Sequence, residues 1–367
     1  MKVIVNGSRL QEGLRKVTGI ANGKTGIAIL ANVKVEAKGG KLALTTTNLD
    51  MTLYAEVDCV SIEEEGVTTV PMKKLEQTVS VLPVGEIIIS SGADSKMVIR
   101  GGTAKMTIGG LSADEFPKLP EASDAAEYKI KAKTLKDLIR RSSYAMSLDD
   151  TRTTLKGVLL DFSGGKLKAV STDGKRIAVS VADVEDNNPD AKYIVPDRAV
   201  LTIVKLLDAE GDVVIRMEKT QIAISMCDGR QRIYSKLIDG VYPAYDRAIP
   251  TSHECELKIA REEMISVIGR TAIMVSPTNP FVKLKFSENL LAVEVVGDDN
   301  CDAHETLPVK YDGPDQTFVF NPQFLLDVLR SIDSDEVTIE MSKPTLPIAV
   351  KAAGEPSLGI VMPLRNS

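Results

Sequence analysis

Several features that would indicate particular functions are scarce or missing in this chain of 367 residues. Aromatic residues make up only 4% and tryptophan is absent, which argues against a mechanism built on rows of aromatic stacking platforms. The formal net charge is -6, so any positive charge that contacts nucleic acid must be segregated onto one surface. No apolar run approaches the ~18 residues of a membrane span, and the N-terminus lacks the apolar core of a signal peptide. We therefore expect a cytoplasmic protein without membrane contact.

Patterns typical of enzymes and metal sites are missing as well. The two histidines, His253 and His304, belong to no HExxH or similar spacing, and the four cysteines form no CxxC pair. No GxxxxGK[ST] loop, GxGxxG turn or GxSxG elbow is present. The acidic turn Gly297–Asn300 lacks the spacing and the distal glutamate of a calcium loop. The sequence predicts a protein that is not an enzyme, with no catalytic residues, no cofactor and no metal.

The most enzyme-like stretch is Ser171–Arg176, in which a Thr-Asp-Gly turn precedes two cations. Such a turn could grip a phosphate, which leaves a hydrolase as one hypothesis. However, a similar segment stands at Thr47–Asp50. A hairpin turn that uses Asp-Gly explains both segments without catalysis.

The chain repeats itself three times. Pro71, Pro196 and Pro322 are 125 and 126 residues apart, and an amphipathic run follows each of them. We predict that each proline starts a helix, because its missing N–H costs nothing in the first turn. An acidic turn and an alternating strand come next, at 85–90, 211–217 and 335–341.

The first half of each repeat is similar too. Amphipathic helices are predicted at 8–20, 133–146 and 260–274, each followed by strands. The predicted fold class is α+β, with three similar domains of helices and antiparallel sheet at 1–121, 127–250 and 252–367. Unrelated α+β domains with chance spacing are the alternative, and three matched copies make chance the poorer explanation.

Positive charge concentrates on the predicted helices, as in Lys73, Lys74, Arg140 and Arg141, whereas acidic residues crowd into strands and turns. A solvated helix face is the ordinary interpretation of such runs. If the three repeats form an arc, however, their equivalent helices line one side and the cations add into one positive concave surface. Such a surface binds phosphates without reading the base sequence.

Five segments carry a resemblance to a known family. They are Arg152-x-x-Leu155-x-Gly157-Val158, Ser171–Arg176, Tyr242–Pro250, Phe320–Pro322 and Val361–Arg365. In this order, and over essentially the whole chain, they resemble the bacterial DNA sliding clamps, the beta subunits of DNA polymerase III. The stretch 343–347 matches poorly and is left unassigned.

The resemblance implies a fold, an assembly and partners. Three clamp domains would form a crescent, and two crescents would pair head-to-tail as a homodimer that closes into a ring around double-stranded DNA. The ring would act as a processivity factor without sequence specificity. A groove between the central and C-terminal domains would hold short linear peptides of the replicative DNA polymerase, the clamp loader and repair proteins. A repeat-built scaffold that never encircles DNA is the alternative.

The resemblance also points to site residues. The positions that would face DNA are Lys24, Lys73, Arg152 and Arg198. The positions of the dimer interface would be Lys74, Lys105, Met106 and Ile108 on one side, and Ile273, Met274, Asp298, Asp299, Asp302 and Glu305 on the other. The peptide groove would use Leu155, Thr172, Gly174, Lys175, Arg176, Ile177, Pro243, Arg247, Ala248, Val361, Met362, Pro363, Leu364 and Arg365. Within it, an apolar floor formed by Leu155, Ile177, Val361 and Met362 would accept Leu and Phe side chains, with Arg176 and Arg247 at the rim.

Overall fold

The structure is a computed structural model that describes residues 1–21, 26–92, 94–120, 125–184, 188–208, 210–298 and 301–364. The predicted site residues Lys24, Asp299 and Arg365 lie outside the described residues. None of the helices in these ranges is long and apolar enough to span a membrane.

Within the described residues, six α-helices repeat in pairs, as the sequence predicts. They are α1 (Gly7–Val17), α2 (Met72–Val81), α3 (Ala132–Ser143), α4 (Asp197–Leu206), α5 (Arg261–Thr271) and α6 (Pro322–Ser331). The helices predicted at 8–20, 133–146 and 260–274 correspond to α1, α3 and α5. Short 3-10 turns lie at Ala28–Ala31, Ala113–Glu115, Thr153–Leu155, Tyr245–Ala248 and Ala272–Met274.

The β-strands follow the same threefold repetition. The first eight are β1 (Lys2–Asn6), β2 (Asn32–Lys38), β3 (Lys41–Thr47), β4 (Met51–Glu64), β5 (Gly66–Pro71), β6 (Glu86–Ser91), β7 (Lys96–Gly101) and β8 (Ala104–Gly109). The next eight are β9 (Ala126–Lys131), β10 (Gly157–Ser163), β11 (Lys166–Thr172), β12 (Arg176–Asp183), β13 (Ala191–Pro196), β14 (Asp212–Met217), β15 (Gln221–Met226) and β16 (Gln231–Lys236). The last eight are β17 (Cys255–Ala260), β18 (Val282–Ser287), β19 (Leu290–Val296), β20 (Asp302–Pro308), β21 (Gln316–Phe320), β22 (Glu336–Met341), β23 (Ile348–Lys351) and β24 (Ser357–Val361).

The prolines of the repeat do not all occupy the predicted position. Pro322 is the first residue of α6, where the side chain of Asn321 accepts a hydrogen bond from the N–H of Gln323 at 2.9 Å. Pro71 and Pro196 instead end β5 and β13, one residue before their helices begin. The prediction that each proline lies within the first helical turn was therefore wrong for these two. The fixed φ of proline also suits an extended residue just before a helix, and its missing N–H costs nothing there.

Helix α1 shows how the helices pack on the sheets. Leu10, Leu14 and Val17 are buried on one face, as its amphipathic sequence predicts. On that face a Cβ atom at Gly13 would approach a methyl group of Val57 to 2.4 Å. Glycine therefore allows α1 to pack directly against β4.

The chain divides into two compact units. The first unit comprises residues 1–133 and 201–237, and the second unit comprises residues 134–200 and 238–367. The central repeat is shared between them, because its strands β9 and β14–β16 belong to the first unit and β10–β13 belong to the second. The domain borders at 121, 127, 250 and 252 stay predictions.

Continuous sheets explain this division. In the first unit, β4 is 14 residues long and pairs with β16 near its start, with β3 and with β1 near its end. The resulting sheet of 12 strands runs β8-β7-β6-β1-β4-β16-β15-β14-β9, with β2, β3 and β5 branching from it. In the second unit, an 8-stranded sheet runs β13-β10-β11-β12-β24-β23-β22-β17, and a 4-stranded sheet runs β20-β19-β18-β21.

Candidate functional site

The segment Thr172–Arg176 forms a hairpin turn between β11 and β12. The Asp173 carboxylate accepts hydrogen bonds from the N–H groups of Lys175 at 2.9 Å and Arg176 at 3.1 Å, and Gly174 has a φ of 86°. The turn at Thr47–Asp50 repeats this pattern, because the side chain of Asn48 accepts from the N–H groups of Asp50 and Met51. The Asp173 side chain therefore holds the backbone of a turn.

The C-terminal strand lies directly beside this hairpin in the second unit. Arg176 pairs with Val361 in the ladder between β12 and β24, and the N–H of Met362 donates to the carbonyl of Lys175 at 2.9 Å. The N–H of Leu364 donates to the carbonyl of Val319 at 2.7 Å. These backbone bonds hold the side chains of Met362 and Leu364 at the surface, where 39% and 37% of the two residues are exposed.

An apolar cluster that includes Ile360 of β24 lies beside this strand. Leu155, Ile177 and Ile360 pack there with Tyr242 and Tyr245. Burial raises the pKa of both phenols, to about 12 for Tyr245, which lies further above physiological pH than the pKa of an ordinary phenol. The cluster is therefore a buried apolar layer that includes two neutral phenols.

An open cleft of about 860 Å³ adjoins this surface, a volume within the usual range for ligand sites. Three of the predicted groove residues line it, namely Arg247, Ala248 and Met362. The segment 343–347, to which the family resemblance gives no role, contributes Leu346 and Pro347 together with Lys343. No short motif marks Leu346 and Pro347, and only the pairing of β23 with β24 brings them close to Met362.

The structure places the remaining predicted groove residues at different depths. Gly174, Lys175, Pro243, Arg247 and Ala248 are exposed, whereas Leu155, Thr172 and Ile177 are buried at the surface of the apolar cluster. Pro363 is half-buried. Val361 is 0% exposed and packs in the main core of the second unit, on the other face of β24 from Ile360. Only its backbone is positioned to line a groove.

Arg176 is held inside the second unit rather than extended into solvent. Its guanidinium forms ion pairs with Asp173 at 3.0 Å and Asp327 at 2.5 Å. It also lies over the ring of Phe324 at 4.4 Å and that of Tyr144 at 5.7 Å from the centroids. Because Asp327 and Phe324 belong to α6, this side chain ties the hairpin to that helix.

The described positions predicted to face DNA are accessible cations. Lys73 lies exposed on α2 in the first unit. In the second unit Arg198 is exposed at the start of α4, and about half of the Arg152 side chain is exposed. The guanidinium of Arg152 donates to the carbonyl of Asp173 at 3.1 Å.

Two other helical cations are neutralised within the chain. Arg140 and Arg141 on α3 both form ion pairs with Asp333, at 2.5 and 2.8 Å, and Arg141 also forms one with Glu355 at 3.6 Å. Burial raises the pKa of Asp333, but its hydrogen bond to Arg141 and the charges of both arginines outweigh this effect and lower the pKa. The proposed positive surface therefore receives little from these two arginines.

Three of the four predicted interface residues of the first unit lie at a sheet edge, and the fourth, Lys74, lies on α2. Lys105, Met106 and Ile108 belong to β8, the terminal strand of the 12-stranded sheet. Lys105 and Lys74 are exposed, Met106 is half-buried, and Ile108 is buried.

Two of the described interface residues predicted for the second unit also lie at a sheet edge, and Ile273 and Met274 lie in the 3-10 turn Ala272–Met274. Asp302 and Glu305 belong to β20, the terminal strand of the 4-stranded sheet, and Asp298 lies in the loop before it. The apolar residues Ile273 and Met274 are 75% and 38% exposed. The Glu305 carboxylate already accepts two hydrogen bonds from Arg270, which outweigh desolvation and lower its pKa. Arg270 therefore shares the Glu305 charge with any cation of a partner.

The sequence patterns did not predict one cluster of side chains that could ligate a metal. His253, Glu256 and Glu340 bring their ligand atoms within 4.8 Å of one another in the second unit. The spacing in the chain gives no signal, because β17 and β22 bring Glu256 and Glu340 side by side. Lys351 already forms an ion pair with Glu340, and His253 and Glu256 are exposed.

Comparison with known proteins places this geometry in a family. The DNA polymerase III beta subunit families match the chain in three consecutive parts: the N-terminal domain at residues 1–120, the central domain at 129–244 and the C-terminal domain at 246–365. The Beta sliding clamp of Escherichia coli K12 is 30% identical over 366 residues, and that of Pseudomonas aeruginosa is 30% identical over 368 residues. Both alignments cover 100% of this chain and 100% of the relative.

Solved structures support the same family assignment. The crystal structure of the DNA polymerase III subunit beta from Pseudomonas aeruginosa has a TM-score of 0.95 at 30% identity. The sliding clamp from the same species bound to griselimycin has a TM-score of 0.96 at 30% identity. Each likeness covers 100% of both chains.

The chain thus has the three-domain clamp fold, with helices packed on antiparallel sheets in each repeat. It belongs to the DNA polymerase III beta subunit family and is a processivity clamp of that polymerase. The resemblance that the sequence motifs indicated is confirmed.

Proposed function

We propose that two copies of this chain pair head-to-tail into a closed ring around double-stranded DNA, without catalysing a reaction. The observation that carries this proposal is the full-length match to clamps, in both sequence and structure. Two sheet edges support it, because β8 ends the sheet of the first unit and β20 ends a sheet of the second. A terminal strand offers backbone N–H and C=O groups to another chain.

The two edges differ in charge. Lys74 and Lys105 lie exposed near the first edge, and Asp298 and Asp302 lie exposed near the second. Opposite charges favour pairing of unlike edges and disfavour pairing of like edges. Head-to-tail contacts that close make a ring rather than a fibre.

A ring needs no tight contact with DNA. Once it is closed, weak contacts from cations such as Lys73, Arg152 and Arg198 suffice, because the duplex cannot leave sideways. Contacts to phosphates carry no base specificity, so the ring can slide along any sequence.

The topology of the DNA provides the decisive test of this function. Protein placed on circular duplex DNA by its clamp loader should remain bound after dilution, and cutting the circle at one site should release it. The fraction that elutes with the DNA in gel filtration measures retention before and after the cut. Equal retention on circular and linear DNA would contradict the ring and favour a scaffold that binds DNA from one side.

We further propose that the apolar cluster and the adjoining cleft of the second unit dock short peptides of the polymerase and of other replication and repair proteins. Met362, Leu346 and Ala248 supply apolar contacts, and Arg247 supplies a cation at the rim. A flexible Met side chain adapts to different peptide side chains. One groove can therefore accept several partners.

Replacing Met362 by aspartate should weaken binding of a synthetic peptide with Leu and Phe side chains at least about tenfold. The change removes an apolar contact worth about 1.5–3 kcal/mol on full burial, and each 1.4 kcal/mol corresponds to a factor of ten. Fluorescence anisotropy of the labelled peptide measures the dissociation constant. The matched control is Val60→Asp, at an exposed apolar residue of β4 in the first unit. Equal affinities of the two variants would place the docking site elsewhere.

A further inference from the structure

The backbone of the proposed docking site has a structural copy in the first unit. There β4 pairs with β16 as β12 pairs with β24 in the second unit. The N–H of Lys236 donates to the carbonyl of Asp50 at 2.8 Å, in the place where Met362 donates to Lys175. The fold therefore builds the same junction of strands twice.

The side chains on the two junctions differ in character. In the second unit, Leu159 pairs with Val170, and Ile360 completes a buried apolar face. The strand registers put Lys34 and Thr45 of the first unit at the positions of Leu159 and Val170. Tyr234, beside Ala223, replaces Ile360, beside Ala349. The junction of the first unit has thus exchanged aliphatic side chains for polar ones.

This polar face lines a cleft of about 580 Å³ in the first unit. The lining includes four cations and, among the described residues that form it, no carboxylate. The cations are Lys34, Lys118, Arg216 and Arg232, and the other lining residues are Thr45, Pro117, Leu119, Pro120, Ala223, Ser225 and Tyr234. For a chain of net charge -6, this is a local reversal of charge.

Carboxylates outside the lining neutralise only part of this charge. Lys34 pairs with Glu36 at 3.0 Å, and Arg216 pairs with Glu127 at 3.0 Å. Arg232 lies over the ring of Tyr54 at 5.0 Å and donates to the carbonyl of Gly229. Among the described residues, no carboxylate forms an ion pair with Arg232 or Lys118.

The orientation of the sheet separates this cleft from the surface proposed to face DNA. Leu44 points toward α1, since a Cβ atom at Gly13 of that helix would lie 3.2 Å from it. Neighbouring strand residues point to opposite faces, so Thr45 and the cleft lie on the face away from α1. Helix α2, which carries Lys73, packs against α1 on the helix-bearing side.

We infer that this cleft is a second docking site, separate from the apolar groove, and that it binds an acidic peptide segment of a partner protein. Arg232 and Lys118 pair with carboxylates of the peptide, and Tyr234 supplies the wall on which its side chains pack. Arginine and tyrosine are enriched at protein interfaces, and charged hydrogen bonds are the stronger class. DNA that passes beside the helices would approach the opposite face, which favours a protein over nucleic acid here.

The test uses the full-length protein and a fluorescein-labelled oligoglutamate peptide. Wild-type protein should bind the peptide with an affinity that falls as salt rises, and Arg232→Gln combined with Lys118→Gln should weaken binding at least about tenfold. The single variant Arg232→Lys, which keeps Lys118, should retain more of the affinity than the double variant does. Arg100→Gln removes an exposed cation of β7 outside the cleft and should change nothing.

Two further measurements, with the groove peptide and with oligothymidylate, make the result specific. The double variant should keep its affinity for the Leu- and Phe-containing peptide of the groove, which separates this inference from the proposed function. Three results would overturn it: no binding of oligoglutamate, equal binding by the double variant and the Arg100→Gln variant, or tighter binding of oligothymidylate at the same residues.

Discussion

Replacing Ile273 and Met274 together by aspartate should convert the protein from a dimer to a monomer. Both side chains are exposed in the single chain, beside the acidic loop that contains Asp298. If they are buried at a ring interface, their loss removes about 1.5–3 kcal/mol for each side chain. Burying two carboxylates in that apolar contact would cost further free energy. The dissociation constant should rise at least about a hundredfold.

Sedimentation velocity gives the measurement, because the mass should fall from twice 39.6 kDa to 39.6 kDa. The control is Val84→Asp, at a residue that is 95% exposed in the loop after α2 and outside the proposed interface. This variant should remain a dimer. A dimer in both variants would exclude Ile273 and Met274 from the interface, and a monomeric wild-type protein would exclude the closed homodimer.

The threefold repeat of the fold was predictable because local sequence patterns indicate its helices and strands. Amphipathic spacing identified α1, α3 and α5, and alternation identified β6, β14 and β22 to within one residue. The hairpin at Asp173 was predictable for the same reason, since its turn residues bond their own backbone. These features depend on neighbours in the chain.

The burial and the contacts of single side chains were not predictable, because they depend on strands that are distant in the sequence. The segment Val361–Leu364 looks uniformly apolar, yet Val361 faces the core while Met362 is exposed. Likewise, charge runs gave no sign that Arg140 and Arg141 meet Asp333, almost 200 residues later. Nor did the sequence show that the junction of β4 with β16 is cationic, because its cations come from three separate strands and from the segment before β9.

The second large effect is expected on stability, when Arg176 is replaced. Replacing Arg176 by methionine should lower the free energy of unfolding by about 3 kcal/mol, near the low end of the loss for breaking a buried ion pair. Asp173 and Asp327 would then lie side by side without their shared cation, and Phe324 and Tyr144 would lose the guanidinium between them. Urea unfolding followed by circular dichroism measures the loss as a lower midpoint at constant slope.

An exposed ion pair of the same kind shows whether burial causes the effect. Arg230 forms an ion pair with Asp58 at 2.9 Å, but about half of each side chain is exposed. Arg230→Met should therefore cost less than about 1 kcal/mol. Adding Asp327→Leu to Arg176→Met should restore part of the lost stability, because it removes one of the two uncompensated charges. Equal losses for Arg176→Met and Arg230→Met would mean that the ion pairs of Arg176 do not hold the hairpin against α6, and the groove would then depend on the strand pairing of β12 with β24 alone.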